Sequence, residues 1–379
     1  MPARSAMVAL VFVWSAFSQD DAPALIKHGD AAYLKGDYEA ARASFSKAWE
    51  AVQQTPRENP ARYDVLKRLT NVRAAVGEFA DADQWLQQAL TWRETVLGKE
   101  DPKIADDLLL SAGFYRNLKD YDRALLIMRR VQDLHAGIYG TSSPLYADDF
   151  SRMAGIYADQ KELQEAIAMH QLALGIRAKM GGPLDPSLVP DLDRMGELYL
   201  ALREYEKAEA VYRHDLVIRE TIYGKSHADL ISTVDGLAYS LFGQKKYEAA
   251  EPVYKRLLDL WLQSVGKDHP MVAVTLDKIA VFYADQKKYP EAREALERSV
   301  AIRAHFHAMG ISQQATEAFG EGKLPEAKAL YQRAMVVLGE PNPVTDELRN
   351  QFEGILKELS GPLPKAGPPP KKSAGALKK

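Results

Sequence analysis

The chain has 379 residues, a formal net charge of −3 and no cysteine. A net charge this close to zero gives no overall basic field that would draw the chain to nucleic acid. Without cysteine, disulfides and thiolate metal sites are excluded, so packing must stabilise the fold.

The segment 1–18 reads MPARSAMVALVFVWSAFS. It places one arginine before an apolar run and small residues after it, an order typical of a secretory signal peptide. The apolar run is shorter than a transmembrane helix requires. We therefore predict a signal peptide over 1–18 and a secreted or periplasmic protein without a transmembrane segment. The alternative is a hydrophobic N-terminus on a cytoplasmic protein.

Residues 22–54 predict a helical hairpin. Small residues at Gly29, Ala41 and Ala48 allow two helices to approach closely, and Tyr38 and Phe45 are expected to fill the space between hairpins. An apolar stripe on one side of such a hairpin needs a neighbouring hairpin to cover it.

A repeat with a fixed stride of about 42 residues then runs through most of the chain, and this regularity indicates a solenoid. Four kinds of residue recur with it. The small residues are Ala82, Ala124, Ala166, Ala208, Ala250 and Ala292. The rings are Phe79, Tyr121, Tyr205, Tyr247 and Tyr289, with Leu163 once in their place. The glycines are Gly98, Gly140, Gly182, Gly224 and Gly266, and the prolines are Pro102, Pro144, Pro186 and Pro270.

Each repeat is interpreted as two helices. Apolar residues at helical spacing predict one helix from about Glu248 to Gln263 and another from Met271 to Lys287. Gly266 ends the former, and Pro270 begins the latter. The periodic rings are expected to pack between helices, and a stacking ladder for single-stranded nucleic acid or glycans is the alternative.

The pattern changes in two places. A local bend or loosening is expected near 181–190. There the loop at 181–186 is wider and Pro190 enters the following helix, in the repeat where Leu163 replaces the ring. After Arg303 the stride fails, and a shorter unit is predicted whose second helix starts at Pro325. A helix over 345–359 should cap the last apolar face. Residues 360–379, rich in proline and lysine, are expected to be a disordered tail.

The stretch 250–289 reads AEPVYKRLLDLWLQSVGKDHPMVAVTLDKIAVFYADQKKY and resembles the long tetratricopeptide (TPR) units of the kinesin-light-chain type. The resemblance implies an all-α, right-handed α-solenoid, a superhelix of antiparallel helix pairs. About eight pairs would occupy 19–359. It also implies a concave face that holds peptides. It does not imply binding to a motor.

In TPR arrays the concave face is lined mainly by the first helix of each unit. Aligning the units on Ala112, Ala154, Gly196, Ala238 and Ala280 gives most of a set of groove residues, and Lys67 and Asn71 of the preceding unit complete it. These are Lys67, Asn71, Asp106, Asp148, Arg152, Asp193, Arg194, Glu197, Asp235, Tyr239, Phe242, Asp277 and Lys278. The set predicts a net acidic groove that selects basic or mixed peptides by complementary potential. The alternative is a solvated helix face with ion pairs one helical turn apart.

Lys67 and Asn71 also resemble the opening part of the clamp with which some TPR proteins hold a C-terminal carboxylate. The matching places in the next two units hold Leu109, Gly113, Ser151 and Gly155. A complete clamp is not expected, because one lysine and one asparagine supply too few donors for a desolvated carboxylate.

The sequence contains no complete motif for catalysis or cofactor binding. The sequence GKS at 224–226 lacks the earlier glycine that a phosphate loop requires, where Arg219 stands. His305 and His307 are two residues apart in sequence and therefore lie on different sides of a helix. This spacing favours their interpretation as solvated helix-end residues over a metal site.

These observations predict a non-enzymatic scaffold or adaptor with a protein or peptide partner, no cofactor and no nucleic-acid ligand. The alternative function is an envelope assembly or oligomerisation factor that acts through the ends of the solenoid. An enzyme is the third class, and no catalytic residue supports it.

Overall fold

A computed structural model describes residues 21–360. These residues form sixteen α-helices, two short 3-10 helices and no β-strand. None of these helices is both long enough and apolar enough to cross a membrane. The predicted signal peptide and all but the first residue of the predicted tail lie outside the described residues.

The helices follow one another with short connections. They are α1 Asp21–Leu34, α2 Tyr38–Val52, α3 Pro60–Ala75, α4 Phe79–Leu97, α5 Pro102–Asn117, α6 Tyr121–Tyr139, α7 Pro144–Gln160, α8 Leu163–Gly181, α9 Val189–Ala201, α10 Tyr205–Tyr223, α11 Ile231–Gly243, α12 Tyr247–Val265, α13 Pro270–Asp285, α14 Tyr289–Gly320, α15 Leu324–Leu338 and α16 Asp346–Ser360. The 3-10 helices Pro186–Leu188 and Ala228–Leu230 precede α9 and α11.

Local sequence chemistry sets these boundaries. Asp101 caps α5, because its Oδ1 accepts a hydrogen bond of 2.9 Å from the backbone N–H of Lys103. Pro102 follows at the first helical position, where a missing N–H costs nothing. Gly98 ends α4 with φ of 91°, a conformation that glycine adopts without steric cost.

The chain divides into two compact units, the first ending at Leu198 and the second beginning at Tyr199. In the first unit, α1 to α8 form four antiparallel helix pairs. One of its cores contains the buried residues Phe45 and Leu69, and another contains Leu108 and Met128. Each core lies where helix pairs stack, so burial in this unit is shared between neighbouring repeats.

In the second unit, α12 packs on α11, α14 packs on both α13 and α15, and α16 covers α15. The ring of Tyr212 approaches α11 so closely that a Cβ at Gly236 would clash with it. Glycine is therefore required at position 236. At the far end, Tyr331 of α15 packs on Phe352 of α16 with ring centroids 5.6 Å apart. The predicted class, an all-α solenoid of antiparallel helix pairs, is confirmed.

The periodic rings are less buried than the sequence suggested. Tyr205 and Tyr247 are half-buried, and Tyr289 is 64% exposed. Each begins a second helix and therefore lies at the edge of its hairpin. The rings that fill the interior are two turns further along, at Tyr212 and Tyr254. The periodic rings do pack between helices as predicted, since Tyr247 contacts Phe282 of α13 with ring centroids 6.1 Å apart. The expectation that they are fully buried core residues is wrong.

The helix α14 is continuous over 32 residues. It joins the second helix of the last long repeat to the first helix of the shorter unit, which the sequence predicted as separate helices. His305 and His307 accordingly lie within a helix, and their interpretation as helix-end residues is wrong. The helix continues because no proline or left-handed residue interrupts it, and Gly310 remains helical.

Candidate functional site

A buried carboxylate recurs where the second helix of one repeat meets the first helix of the next. Asp107, Asp149 and Asp191 occupy one position in consecutive repeats, and each is almost completely buried. Buried carboxylates require partners, since an unpaired charge away from water is strongly unfavourable. This row was not predicted from the sequence.

Asp107 of α5 has three partners. Arg93 Nη1 lies 3.1 Å from Asp107 Oδ2, while Lys67 Nζ and Tyr63 Oη donate to Oδ1 at 3.0 and 2.9 Å. Burial, reinforced by the Asp107 charge, raises the pKa of the Tyr63 hydroxyl. The Arg93 guanidinium also stacks 4.0 Å above the Tyr63 ring. Lys67 is thus paired with an internal carboxylate.

The next two junctions use histidine. His135 Nδ1 lies 2.8 Å from Asp149 Oδ2, and His170 Nδ1 lies 2.7 Å from Asp191 Oδ1. Burial raises the pKa of Asp149, and the hydrogen bond and charge of His135 oppose that shift. Asp191 also accepts hydrogen bonds from Ser151 Oγ at 2.8 Å and from Arg177.

In the second unit the buried aspartate lies on the second helix of a repeat instead of on the first helix of the next repeat. Thr233 of α11 stands one repeat after Asp191, and its hydroxyl donates to Asp215 of α10. Asp215 also accepts from Arg219 Nε at 2.9 Å. The same polar contact between adjacent helices is therefore made with donor and acceptor exchanged. These contacts indicate that the buried acids hold neighbouring repeats together and are not part of a binding site.

The groove residues predicted in the first unit are not gathered into one site. Asp148 pairs with Arg177 of α8 at 2.5 Å, and Arg194 pairs with Glu197 on its own helix at 2.9 Å. Arg152 lies 3.8 Å from the buried Asp149. The other predicted residues of this unit are the exposed Asn71 and Asp106, the half-buried Asp193, and Lys67, described above.

The groove residues predicted in the second unit do come together, on α11 and α13. Lys278 Nζ lies 2.6 Å from Asp235 Oδ2, so the two first helices are neighbours. Tyr239 is 46% exposed, and Phe242 is half-buried. The Phe242 ring contacts the ring of Phe282 on α13 at 6.0 Å and the ring of Tyr239 at 6.4 Å.

Val281 adds an aliphatic side chain to this surface and is 58% exposed. It stands one repeat after Tyr239 and therefore at the same repeat position on the next first helix. We refer to Asp235, Tyr239, Phe242, Lys278 and Val281 as the α11–α13 patch. Contiguous exposed apolar side chains with a charged rim are typical of protein-interaction surfaces.

Asp277, the remaining predicted residue, lies beside this patch but is engaged with α14. It accepts a hydrogen bond of 2.5 Å from the buried Ser299 Oγ and pairs with Arg303. Asp148, Asp235 and Asp277 are therefore each matched by a nearby cation. These pairs reduce the acidity of the predicted groove. Among residues 21–360, no three potential metal ligands cluster closely enough to hold an ion.

Two family models with the description "Tetratricopeptide repeat" match this sequence, one over residues 229–304 and the other over 70–103 and 192–229. No curated protein matches it.

Several solved structures are similar. One is the C-terminal part of a TPR repeat-containing protein from Cytophaga hutchinsonii, with 14% identity, a TM-score of 0.53 and coverage of 73% of this chain and 95% of that chain. Another is a signal transduction ATPase with a tetratricopeptide repeat sensor from Pyrococcus horikoshii, with 15% identity, a TM-score of 0.52 and coverage of 74% and 42%. The kinesin-light-chain TPR-like repeats from Podosopora anserina give 18% identity, a TM-score of 0.47 and coverage of 54% and 97%. At these identities the likeness concerns the fold alone.

Proposed function

Because this chain is a tetratricopeptide-repeat protein, we propose that it is a non-enzymatic scaffold that binds a polypeptide partner on the α11–α13 patch. The observation that carries the proposal is the exposure of Tyr239 and Val281 at one repeat position on two neighbouring helices. Exposed aromatic and aliphatic side chains in the centre of a surface act as anchors for a partner's apolar side chain.

The same repeat position supports the choice of this patch. In the first unit it holds residues without a large apolar side chain, namely Asn71, Gly113, Gly155 and Glu197. The apolar anchor is thus offered by α11 and α13. Asp235 and Lys278 at its rim can exchange their mutual ion pair for contacts with a partner, because both side chains remain partly exposed.

A preference for a basic residue beside the apolar anchor is part of the proposal. Asp235 can accept a hydrogen bond from a partner's lysine or arginine in place of Lys278. Such an exchange between partly exposed groups changes affinity modestly and is weakened by salt. The charge at the rim therefore tunes recognition, and the apolar anchor supplies most of the affinity.

The test uses a partner captured with the purified chain from the native envelope fraction and then made separately. Tyr239→Ala combined with Val281→Ser should weaken its binding by about tenfold or more, since both anchors are removed. Leu126→Ser is the matched control, because Leu126 is an exposed apolar residue on the second helix α6. Unchanged binding by the double variant would place recognition elsewhere.

We also propose that the protein is exported from the cytoplasm, on the order of charge, apolar run and small residues in 1–18. N-terminal sequencing of the protein from its native host should then begin near Gln19. Abundant cytoplasmic protein with an intact Met1 would contradict export.

A second candidate function, self-assembly through the ends, has its own observation in α14. At the position of Leu296, all five preceding repeats bury their side chain against the following first helix. These side chains are Leu86, Met128, His170, Tyr212 and Tyr254. Leu296 is 47% exposed, because α14 continues without a turn and no described first helix folds back over it. Exposed Val300 and a groove of about 700 Å³ adjoin it.

The occupant that we propose for this face is helix α1 of a second copy. Helix α1 is itself a first helix, and its exposed residues Ala24, Ala31 and Leu34 are covered by no described element. Lys27 on α1 and Glu297 on α14 supply opposite charges at the rim. Docking would continue the stacking of repeats from one copy to the next. A contact of this head-to-tail kind generates a ring or an open filament, depending on the rotation between copies.

Sedimentation across a concentration series tests the second candidate. Leu296→Glu and Leu34→Glu should each abolish concentration-dependent association, because each buries a charge in the contact. Glu297→Lys alone should weaken association. Adding Lys27→Glu to it should restore association, because the two charges are then exchanged. A protein that stays monomeric at all concentrations would exclude self-assembly. That result would not affect the proposal that a partner binds the α11–α13 patch.

A further inference from the structure

Five hairpin turns contain a residue other than glycine in the left-handed backbone conformation, and all five are cations. They are Lys119, Lys161, Arg203, Lys245 and Lys287, with φ of 62°, 70°, 59°, 59° and 60°. They occupy one position in consecutive repeats, at the turn between the two helices of each. These five are the positive-φ residues other than glycine within 21–360.

The flanking repeats of the same chain fill the corresponding position with glycine. Gly36, Gly77 and Gly322 have φ of 78°, 81° and 78°, so the backbone takes the same path with either residue. A Cβ at these three glycines would meet no atom within 4 Å. A lysine in this place therefore extends into solvent, where it suffers the steric cost of the left-handed conformation without packing to compensate.

The C-terminal dipole of the first helix offers only a partial reason for a cation here. It favours positive charge anywhere in the last turn or just beyond it. Position 246 or 288 would gain the same attraction with an ordinary backbone, and both already hold lysine. The presence of lysine or arginine at the strained position therefore requires a further explanation, such as a function of the side chain.

In the part of the second unit that the structure describes, the cations at the strained position differ in pairing from the lysines that follow them. Lys246 Nζ pairs with Glu209 at 2.9 Å, and Lys288 Nζ lies 3.9 Å from Glu251. In contrast, Arg203, Lys245 and Lys287 are exposed and make no ion pair with any described residue. We refer to these three residues as the turn row.

We propose that the turn row is a docking surface for an acidic polypeptide segment. Each of its three repeats contributes one cation that makes no ion pair within residues 21–360. Carboxylates such as Glu204 and Asp285 stand close by in sequence. Spaced cations among carboxylates suit a chain that places Asp or Glu opposite each cation. The unbroken charge of a phosphate backbone would meet those carboxylates as well. The turn row is a surface separate from the apolar anchor of the α11–α13 patch.

The probe is a short synthetic peptide with glutamate at every third position, compared with the same peptide carrying glutamine. The variant Arg203→Gly/Lys245→Gly/Lys287→Gly should weaken binding of the glutamate peptide by about tenfold or more and flatten its salt dependence. The same variant should raise the melting temperature, because glycine relieves the left-handed strain at three turns.

Two controls separate charge from conformation. Arg203→Lys/Lys245→Arg/Lys287→Arg keeps the charges and should bind the glutamate peptide like the wild type. Lys119→Gly/Lys161→Gly relieves the same strain at two turns of the first unit and should raise the melting temperature while Arg203, Lys245 and Lys287 keep their charges. Tyr239→Ala should leave binding of the glutamate peptide unchanged, so failure of the α11–α13 patch and failure of the turn row are distinguishable.

Three outcomes overturn the proposal. The first is unchanged affinity of the triple glycine variant, and the second is equal binding of the glutamine peptide. The third is loss of binding to phosphatidylserine–phosphatidylcholine vesicles or to single-stranded DNA in the triple variant while the peptide binds as before. That third result would assign the turn row to an anionic lipid surface or to nucleic acid.

Discussion

Arg93 of α4 and Asp107 of α5 form an ion pair at a junction between two repeats, with Arg93 Nη1 3.1 Å from Asp107 Oδ2. The Asp107 side chain has no exposed surface. Lys67 reaches the same carboxylate from α3, so three consecutive helices of the first unit converge on one acid. A charge shared in this way fixes how neighbouring repeats stack, because any other register would leave it buried and unpaired.

The first prediction is that Asp107→Ala lowers the free energy of unfolding by about 3–5 kcal/mol, since it leaves the buried Arg93 and the half-buried Lys67 without their partner. Asp106→Ala is the matched control, because the neighbouring carboxylate is exposed, and its effect should stay within about 0.5 kcal/mol. Urea unfolding of both variants measures the difference. Similar losses in both would mean that the buried pair contributes no more than a surface charge.

The second prediction separates the buried ring of a second helix from the ring that begins it. Tyr254 is buried and packs on Phe282 with centroids 5.1 Å apart. Tyr254→Ala should cost about 3 kcal/mol or more by leaving a cavity. Tyr247 is half-buried, so Tyr247→Ala should cost about 1 kcal/mol. Thermal unfolding of both variants provides the measurement, and a greater loss for Tyr247→Ala would restore the periodic ring as the core residue.

The repeat boundaries were predictable from the sequence because local chemistry determines them. Pro270 can begin a helix but not continue one, and Gly266 adopts the positive φ that ends the preceding helix. The helix boundaries in the structure therefore fall within about two residues of the predicted ones at this repeat. The continuity of α14 was not predictable in this way, because a change of stride after Arg303 does not reveal whether the chain turns or continues.

The buried acids were missed because aspartate in an isolated sequence is normally counted as a surface residue. The signal was nevertheless present. Asp107, Asp149 and Asp191 recur with the repeat, and Arg93, His135 and Arg177 precede them in turn at one constant spacing. Such paired periodicity of opposite charges predicts contacts between helices. Most of the α11–α13 patch was predicted, because the TPR resemblance indicated which helix face to examine. The predicted members are Asp235, Tyr239, Phe242 and Lys278.

The third prediction concerns acid stability through Glu209 of α10. Burial would raise the pKa of Glu209, but hydrogen bonds from Lys246, Gln244 and Arg213 outweigh burial and lower the pKa to about 2. A carboxyl group whose pKa is lower in the folded state stabilises the fold above its unfolded pKa of about 4.5. That stabilisation is lost as the pH falls from about 4.5 to about 2.

Glu209→Gln removes this group from the titration. At pH 7 the variant should be less stable than the wild type by about 2 kcal/mol, a value reduced from the full pKa shift because Lys246 and Arg213 are more than half exposed. The difference should shrink as the pH falls from about 5 to about 2. Chemical denaturation of both proteins at several pH values measures it, and a difference that is constant with pH would contradict the assigned pKa.

The last prediction distinguishes two aspartates that the sequence placed at the same repeat position. Asp235 pairs with the partly exposed Lys278, whereas Asp277 binds the buried Ser299 and Arg303. Asp277→Asn should therefore lower the free energy of unfolding by about 1–2 kcal/mol, because it weakens a charged hydrogen bond to a buried hydroxyl. Asp235→Asn should cost less than about 0.5 kcal/mol, as expected for an exposed ion pair.

Binding should show the opposite order. If a basic residue of the partner contacts the rim of the α11–α13 patch, Asp235→Asn weakens that binding and reduces its dependence on salt, because one charge contact is lost. Asp277→Asn should leave both quantities unchanged, since Ser299 and Arg303 already occupy its carboxylate. Titrations at two ionic strengths measure them. An unchanged salt dependence in the Asp235→Asn variant would mean that Asp235 only pairs with Lys278 and that charge does not select the partner.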